Sequence, residues 1–404
     1  MPWHAYPPVS QRYEFVILAG AAGADIQELC RRFGISRKTG YKWLERFRRD
    51  GPAGLLERSR RPRHSPKVCP EAMATKVIAL RHACPTWSGY KLRRRLRDLG
   101  ESSVPAASTC TEIVRRAGLI SAAASAAATP MQRFERATPN ELWQMDFKGD
   151  FPTQSGVRCH PLTMLDDHSR FNVILAATTN QTGLTVRALL SAAFAQYGLP
   201  EAILCDNGAP WGHGGEGTGH TALTVWLLQL GVRVLHGRPY HPQTQGKEER
   251  FHRTLKAELL SRHTWRDLDH CRAAFPAYRH QYNAERPHRS LDGDTPLSRY
   301  LPSPRAFPAT LPQIDYPGSN EVRIVRDTGV ITFRGQTWLI GRGFGSLPIG
   351  LRPSAQADGQ WEAYFSFHLL GYLDFTTPPE TKHRVRSLLP PRSLFSSQTI
   401  NQSR

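Results

Sequence analysis

Apolar positions recur every three to four residues in the first third of the chain and alternate or cluster in short runs further on. In ADIQELCRRFGISRKTGYKWLERFRRDG, Ile26, Leu29, Cys30 and Phe33 keep helical spacing, and Asp25 stands where an N-cap belongs. Gly34 permits a sharp turn, and Ser36 caps a second helix that ends before Gly51, with Trp43, Leu44 and Phe47 facing inward. The pattern predicts two short helices around a tight turn. Arg37, Lys38, Tyr41 and Lys42 then fall on the exposed N-terminal surface of the second, which is the surface that reads a DNA major groove in such a pair. A weaker copy follows, with helices predicted at Glu71–His82, Ser88–Gly100 and Ser108–Gly118. Its middle helix carries the arginine run 93–95, which offers Arg93 and Arg94 to phosphates or forms a solvated face. Between the copies, RSRRPRHSPK is a Pro- and Arg-rich connector whose Arg61 and Arg63 suit a phosphate backbone or a minor groove. SAAASAAATP, from Ser121 to Pro130, has no core pattern and reads as an interdomain linker.

Past that linker the period changes. NELWQMDFKGDF places Leu142/Trp143, Met145 and Phe147 around polar positions, a strand signal. PLTMLDDHSRFNVILAATT predicts two strands joined at Asp167–Ser169, and Leu184–Tyr197 is helical in pattern. EAILCDNG is a short apolar strand ending at Asp206 and an Asn-Gly turn; VWLLQLG predicts a helix and VRVLHG a strand. Such alternation indicates an α/β or mixed-sheet domain. Further on, EVRIV, GVITF, QTWLIG, WEAYFSF and LLGYLDF predict short strands with turns between them, followed from about Pro378 by an expected disordered tail.

Charge narrows the class of partner. The 404-residue chain carries +19, and its first 140 residues hold 25 Lys+Arg against 11 Asp+Glu, which points to a polyanion and above all to nucleic acid. The seven cysteines are scattered singly, without CxxC pairs, so neither a disulfide framework nor a zinc site is expected; Cys30 and Cys205 read as core residues. No apolar run approaches the ~20 residues that cross a bilayer, and the N-terminus lacks a secretory pattern. The expected location is the cytosol.

The acidic residues of the middle carry the candidate chemistry. Asp146 lies within the first strand among large apolar residues, and Asp206 ends a buried strand, where an open α/β sheet places its active site. Either could instead cap a strand end; Asp150 is a weaker candidate, and Asp166 and Asp167 belong to a turn. In PYHPQTQGKEERFHRTLKAELL, Phe251, Leu255 and Leu259 form the inward stripe of a helix starting near Gln245. Glu248 borders that stripe, whereas Glu249 shares another face with His252, Arg253 and Lys256. Glu249 is therefore the preferred ligand, with Glu248 an alternative because a helix start can slip by one residue.

WQMDF, CDNG, HPQTQGKEERFHRTLKAEL and YNAERPHRSLDGDTP, in that order, resemble the core of the DDE transposase and retroviral-integrase superfamily, in particular bacterial insertion-sequence transposases with helix-turn-helix heads. The resemblance runs from ISRKTGYKW to about Arg305. It implies Asp146 and Asp206 as the catalytic aspartates, and Glu249 as the glutamate of the GK-x-ER-F pattern. Lys247, Arg253 and Lys256 would then lie where DNA ends are held. Two departures stand out. The 42 residues between Asp206 and Glu249 exceed the usual spacing, the surplus being the Gly-rich stretch Gly212–His220, and Glu248 occupies a position where an apolar residue is commoner.

The expected architecture is multi-domain: all-α helix-turn-helix modules, an α/β ribonuclease H-like core with a mixed sheet, and a small SH3-like C-terminal β-barrel for DNA or subunit contact. Expected boundaries are 1–57, a connector 58–69, a second module 70–120, a linker 121–138, the core 139–305, the barrel 306–377 and a tail 378–404. Three carboxylates suit hard cations, Mg²⁺ or Mn²⁺, and two ions per active site. The expected function is DNA 3′-end cleavage and strand transfer on terminal repeats and target DNA, by a homodimer or higher multimer. The alternatives are a catalytically inactive DNA-binding repressor or remnant, and a nuclease without strand transfer.

Overall fold

The computed structural model describes residues 8–57, 69–120, 135–212, 218–236, 246–316, 318, 321–377 and 385–391. They divide into two compact units, residues 1–68 and residues 69–404. All seven cysteines are free, and six of them are buried. Among the described residues no helix is long and apolar enough to cross a membrane.

The first unit holds α1 (Pro8–Ala19), α2 (Ile26–Arg32) and α3 (Arg37–Asp50). Asp25 caps α2 by accepting from the Gln27 N–H at 2.8 Å, and Ser36 caps α3 by accepting from the Thr39 N–H at 3.2 Å. Gly34 makes the turn at φ +63°. Phe15, Val16, Cys30, Trp43, Leu44 and Leu55 form the core. Helix α1 escaped the sequence reading because its apolar run Phe15–Ala19 is continuous and shows no helical period. Its buried Arg12 donates to the Leu55 carbonyl at 2.9 Å and lies 4.2 Å from the Trp43 ring. The packing is tight at Gly40, where a Cβ would meet Cys30 Sγ at 2.6 Å and the Phe15 ring at 2.9 Å. Gly40→Ala is expected to lower the stability of this unit by about 1–3 kcal/mol, visible as a lower first transition in thermal unfolding. An unchanged transition would contradict so close an approach.

The second unit opens with α4 (Glu71–Ala83), α5 (Gly89–Asp98) and α6 (Ala107–Arg116), packed around Val77, Trp87, Leu92, Leu96 and Cys110. Residues 135–138 join the strands that follow: the Arg136 N–H donates to Asp167 at 2.9 Å, and Glu135 pairs with Arg170 at 3.2 Å. The expected linker therefore ends by Glu135; its residues 121–134, like connector residues 58–68, lie outside the described ones.

A mixed sheet follows, built of β1 (Trp143–Phe147), β2 (Phe151–Pro152), β3 (Arg158–Asp166), β4 (Asn172–Thr178), β5 (Ala202–Cys205) and β6 (Arg233–His236). Its order is β4–β3–β1–β5–β6, with β2 against the start of β3. β4, β3 and β1 are antiparallel, and β5 and β6 run parallel to β1. Helices α7 (Gly183–Tyr197) and α8 (Ala222–Gln229) cover one face, where Val186, Phe194 and Trp226 meet Trp143, Met145, Leu162 and Met164. Helices α9 (Gly246–Glu258) and α10 (Leu268–His280) cover the other, where Phe251, Leu255, Cys271 and Phe275 meet Leu165 and Leu175. This is the ribonuclease H-like arrangement that the resemblance implied. The period of two in β1 sends Trp143 and Met145 to the first face and leaves Gln144 and Asp146 to the α9 side.

The α4–α6 module packs on this core. Thr86 donates to Glu258 at 3.0 Å, Arg95 pairs with Glu285 at 3.1 Å, and Arg94 pairs with Asp98 at 2.8 Å and Asp294 at 3.2 Å. Lys91 is enclosed there beside Arg286, with Glu258, Arg250 and Cys84 around it. Burial first, and then the charge of Arg286, push its ammonium down to about 7 from 10.5. Between those values the unfolded chain holds a proton that the folded one does not, so stability rises with pH from about 7 to 10.5. Lys91→Met is expected to flatten that rise in denaturant unfolding followed across the same range.

The C-terminal strands are β7 (Glu321–Ile324), β8 (Val330–Phe333), β9 (Gln336–Leu339), β10 (Pro348–Pro353), β11 (Gln360–Phe365), β12 (His368–Asp374) and β13 (Arg386–Ser387). They form two sheets, β12–β11–β10–β7 and β13–β9–β8, around one core that also takes in Val225 and Leu228 of α8. A Tyr372–Leu389 bridge links the sheets, and no closed barrel results among the described residues. The expected tail is corrected in part: Arg386–Ser387 pairs in parallel with Trp338–Leu339, while 378–384 and 392–404 lie outside the described residues.

Candidate active site

The parallel register of β1 and β5 pairs Trp143 with Ile203 and Gln144 with Leu204. Continued by two residues, it brings Asp146 level with Asp206, one residue beyond the end of β5. Asp206 is exposed, and its Oδ1 accepts the Gly208 N–H at 3.0 Å. Glu249 is exposed on the first turn of α9, followed on the same side by exposed Arg253 and Lys256. Asp146 feels both partners: burial first, then the charge of Asp206 and to a lesser degree that of Glu249, raise its carboxyl to about 6 from 3.8.

Among the described residues no group of three or more His, Cys, Asp and Glu side chains is placed to hold a metal ion. The donor chemistry, carboxylate oxygen throughout, fits Mg²⁺ or Mn²⁺.

Glu248 points the other way and is fully buried. The Thr163 hydroxyl stands 3.1 Å from Glu248 Oε2, 2.7 Å from His252 Nε2 and 3.0 Å from the Asp146 carbonyl oxygen. The hydroxyl has one proton to donate among the Glu248 and Asp146 oxygens, and its contact with His252 depends on that ring's tautomer. Burial first and then the charge of Asp146 raise the Glu248 carboxyl well above the carboxylate range, and burial lowers His252 to about 4. His252, which helical spacing placed with Glu249, is buried instead, with Nδ1 3.9 Å from Asp146 Oδ2. The sequence signal for Glu248 was its place beside the apolar stripe; nothing local marked Thr163, which is 85 residues away.

The remaining candidate residues are spread over the molecule. Arg37, Lys38, Tyr41 and Lys42 lie exposed on the first turns of α3, with Lys42 Nζ 4.6 Å from the Trp43 ring. Lys247 is held by the Asp167 carboxylate and donates to the Asp167 carbonyl at 3.1 Å. Arg93 is half-buried on α5, and Arg94 is engaged by Asp98 and Asp294; Arg61 and Arg63 lie outside the described residues. Asp166 accepts from the Ser169 N–H and the Asn140 N–H at 2.8 Å each, which ties the β3–β4 turn together. Asp150 pairs with exposed Arg158. Gly212 and His220 form an antiparallel bridge that closes the base of the Gly-rich stretch, whose residues 213–217 lie outside the described ones.

Known families match along most of this order. A helix-turn-helix domain matches residues 11–63, a homeodomain-like domain 39–114, and two integrase core domain models 136–242 and 230–296. The C-terminal domain of IS481 family transposases matches 320–381. The chain is 32% identical over 154 residues to an insertion element IS407 protein of 31.7 kDa from Burkholderia multivorans, covering 38% of this chain and 53% of that one. It is 31% identical over 153 residues to an insertion element IS476 protein of 39.2 kDa from Xanthomonas euvesicatoria, covering 38% and 42%. It thus spans about half the length of these curated relatives. Among solved structures, a simian T-cell lymphotropic virus intasome chain is similar at TM-score 0.35 and 17% identity, covering 76% of this chain and 100% of that one. The catalytic core of BIV integrase is similar at TM-score 0.30 and 22% identity, covering 39% and 92%. Superpositions that loose carry no weight beside the strand order. The helix-turn-helix, integrase-core and C-terminal matches, in this order along one chain, make it a member of the insertion-sequence transposases with helix-turn-helix domains and a retroviral-integrase-like core.

Proposed function

We propose that the protein binds the terminal repeats of an insertion sequence and catalyses metal-dependent DNA 3′-end cleavage and strand transfer. The observation that supports this reading is the parallel register that brings Asp146 level with Asp206 at the ends of β1 and β5, with Glu249 exposed on the first turn of α9. Asp146, Asp206 and Glu249 would hold Mg²⁺ or Mn²⁺, two ions per site. When bound, these ions supply Lewis-acid activation of water or of a DNA 3′-hydroxyl, and they neutralise charge at phosphorus. The chain's own part is positional. Arg253 and Lys256, on the exposed side of α9 with Glu249, offer cations to the phosphates that flank the reacting one. Lys247 joins them once Asp167 releases it. Arg37, Lys38, Tyr41 and Lys42 would enter the major groove of the terminal repeat, and Arg61, Arg63, Arg93 and Arg94 would meet the backbone. Joining two ends to one target requires a dimer or larger multimer on DNA, in the bacterial cytoplasm with the nucleoid.

The test is a joining reaction with terminal-repeat DNA, Mg²⁺ and a supercoiled target, using the parent protein and Asp206→Ala. Metal-dependent 3′-end nicking and joining by the parent alone is the expected result. Sequence-specific binding without cleavage by either protein would favour an inactive, repressor-like remnant.

A further inference from the structure

Both candidate aspartates have their main-chain carbonyls gripped by side chains from neighbouring strands. For Asp146 the donor is Thr163, its cross-strand partner on β3, at 3.0 Å. For Asp206 it is His236, the last residue of β6, whose Nδ1 stands 2.8 Å from the Asp206 carbonyl oxygen. The β5–β6 pairing ends, among the described residues, at Cys205–His236, so Asp206 lies one step past the last described pair. That carbonyl can only accept, so Nδ1 carries a proton. Cys205 Sγ, 3.8 Å from the same nitrogen, has the Leu235 carbonyl at 3.8 Å to donate to instead. His236 Nε2 is buried with no hydrogen-bond partner among the described residues, and the half-buried ring of His220 stands 6.3 Å away, centroid to centroid. Among the described residues the short bond of the imidazole is the one to Asp206.

We propose that His236 is a positioning residue for Asp206, which it orients through the main-chain carbonyl. The inference rests on the reading of Asp206 as a metal-holding acid. The peptide plane after Asp206 sets the direction in which its Cα–Cβ bond leaves the strand. Fixing that plane therefore aims the carboxylate, while the Gly208 N–H steadies one of its oxygens.

The experiment compares His236→Asn, whose amide N–H₂ falls near Nδ1, with His236→Gln, whose amide falls near Nε2, and with His236→Leu, all in the full chain. In the metal-free parent at pH 8, a long-range ¹H–¹⁵N spectrum should show the histidine signal lost in His236→Asn as the Nδ1–H tautomer. In single-turnover 3′-end nicking with Mn²⁺, the Asn variant is expected within about threefold of the parent. The Gln and Leu variants are expected to be roughly 10–100-fold slower, with affinity for terminal-repeat DNA unchanged. An Nε2–H tautomer, parent-like rates in His236→Leu, or equal losses in Asn, Gln and Leu would each overturn the inference. Asp206→Ala run alongside separates the two levels. An inactive Asp206→Ala beside a fully active His236→Leu removes the positioning role alone, and an active Asp206→Ala removes the site itself.

Discussion

Glu258→Ala is expected to cost about 3–5 kcal/mol of folding stability, because it leaves a buried guanidinium without its partner. Arg286 Nε lies 3.0 Å from both oxygens of Glu258, and the two side chains are 9% and 10% exposed. The carboxylate serves several elements together. Oε2 accepts from Tyr278 of α10 at 3.2 Å, and Oε1 accepts from Thr86, in the turn between α4 and α5, at 3.0 Å. Arg286 also donates to His288 Nε2 at 3.3 Å, and burial together with that guanidinium holds His288 well below its usual range, hence neutral and able to accept. Glu258 thus ends the helix whose first turn carries Glu249 by fastening it both to α10 and to the α4–α6 module. Denaturant unfolding should show the loss, and hydrogen exchange should rise at the α4–α5 turn as well as in α9. Pairing Glu258→Leu with Arg286→Met removes both charges and should recover much of the loss, a coupling that a double-mutant cycle measures. A loss below about 1 kcal/mol for Glu258→Ala, the scale of exposed pairs, would show that the pair is solvated.

What could be read in the sequence follows from how local each signal is. The helix caps Asp25 and Ser36 act within three residues, and both stand where the pattern put them. The alternation of Trp143 and Met145 is local too, and it indicated which neighbours share a face with Asp146. Helix α1 went unread because its apolar run Phe15–Ala19 is unbroken, and α10, although Leu268, Cys271, Phe275 and Tyr278 keep helical spacing, carries Pro276 in its interior, which reads as a helix breaker. The arginine run on α5 was open to a solvated or DNA-facing reading, since Asp294 and Glu285, which engage Arg94 and Arg95, lie some 190 to 200 positions away. The barrel expected at the C-terminus is two sheets with one bridge, a matter of long-range pairing that strand patterns do not encode.

The adjacent glutamates give the second large expectation. Glu248 is buried against Thr163, where burial raises its carboxyl well above the carboxylate range, and a glutamine there reproduces the neutral shape and one donor group. Glu249 is exposed beside Arg253 and Lys256, and a glutamine there loses the charge that a cation needs. Removing one charged ligand takes away several kcal/mol of transition-state stabilisation, and each 1.36 kcal/mol is about tenfold in rate, so Glu249→Gln should slow catalysis by roughly 10³-fold or more. Glu248→Gln should stay within about tenfold of the parent and unfold no earlier, as an isosteric exchange of neutral polar groups. The direct measurement is single-turnover 3′-end nicking of terminal-repeat DNA with Mg²⁺ by the two variants side by side. A collapse confined to Glu249→Gln is the expected result; a collapse confined to Glu248→Gln, with Glu249→Gln as active as the parent, would contradict the assignment of the three acids.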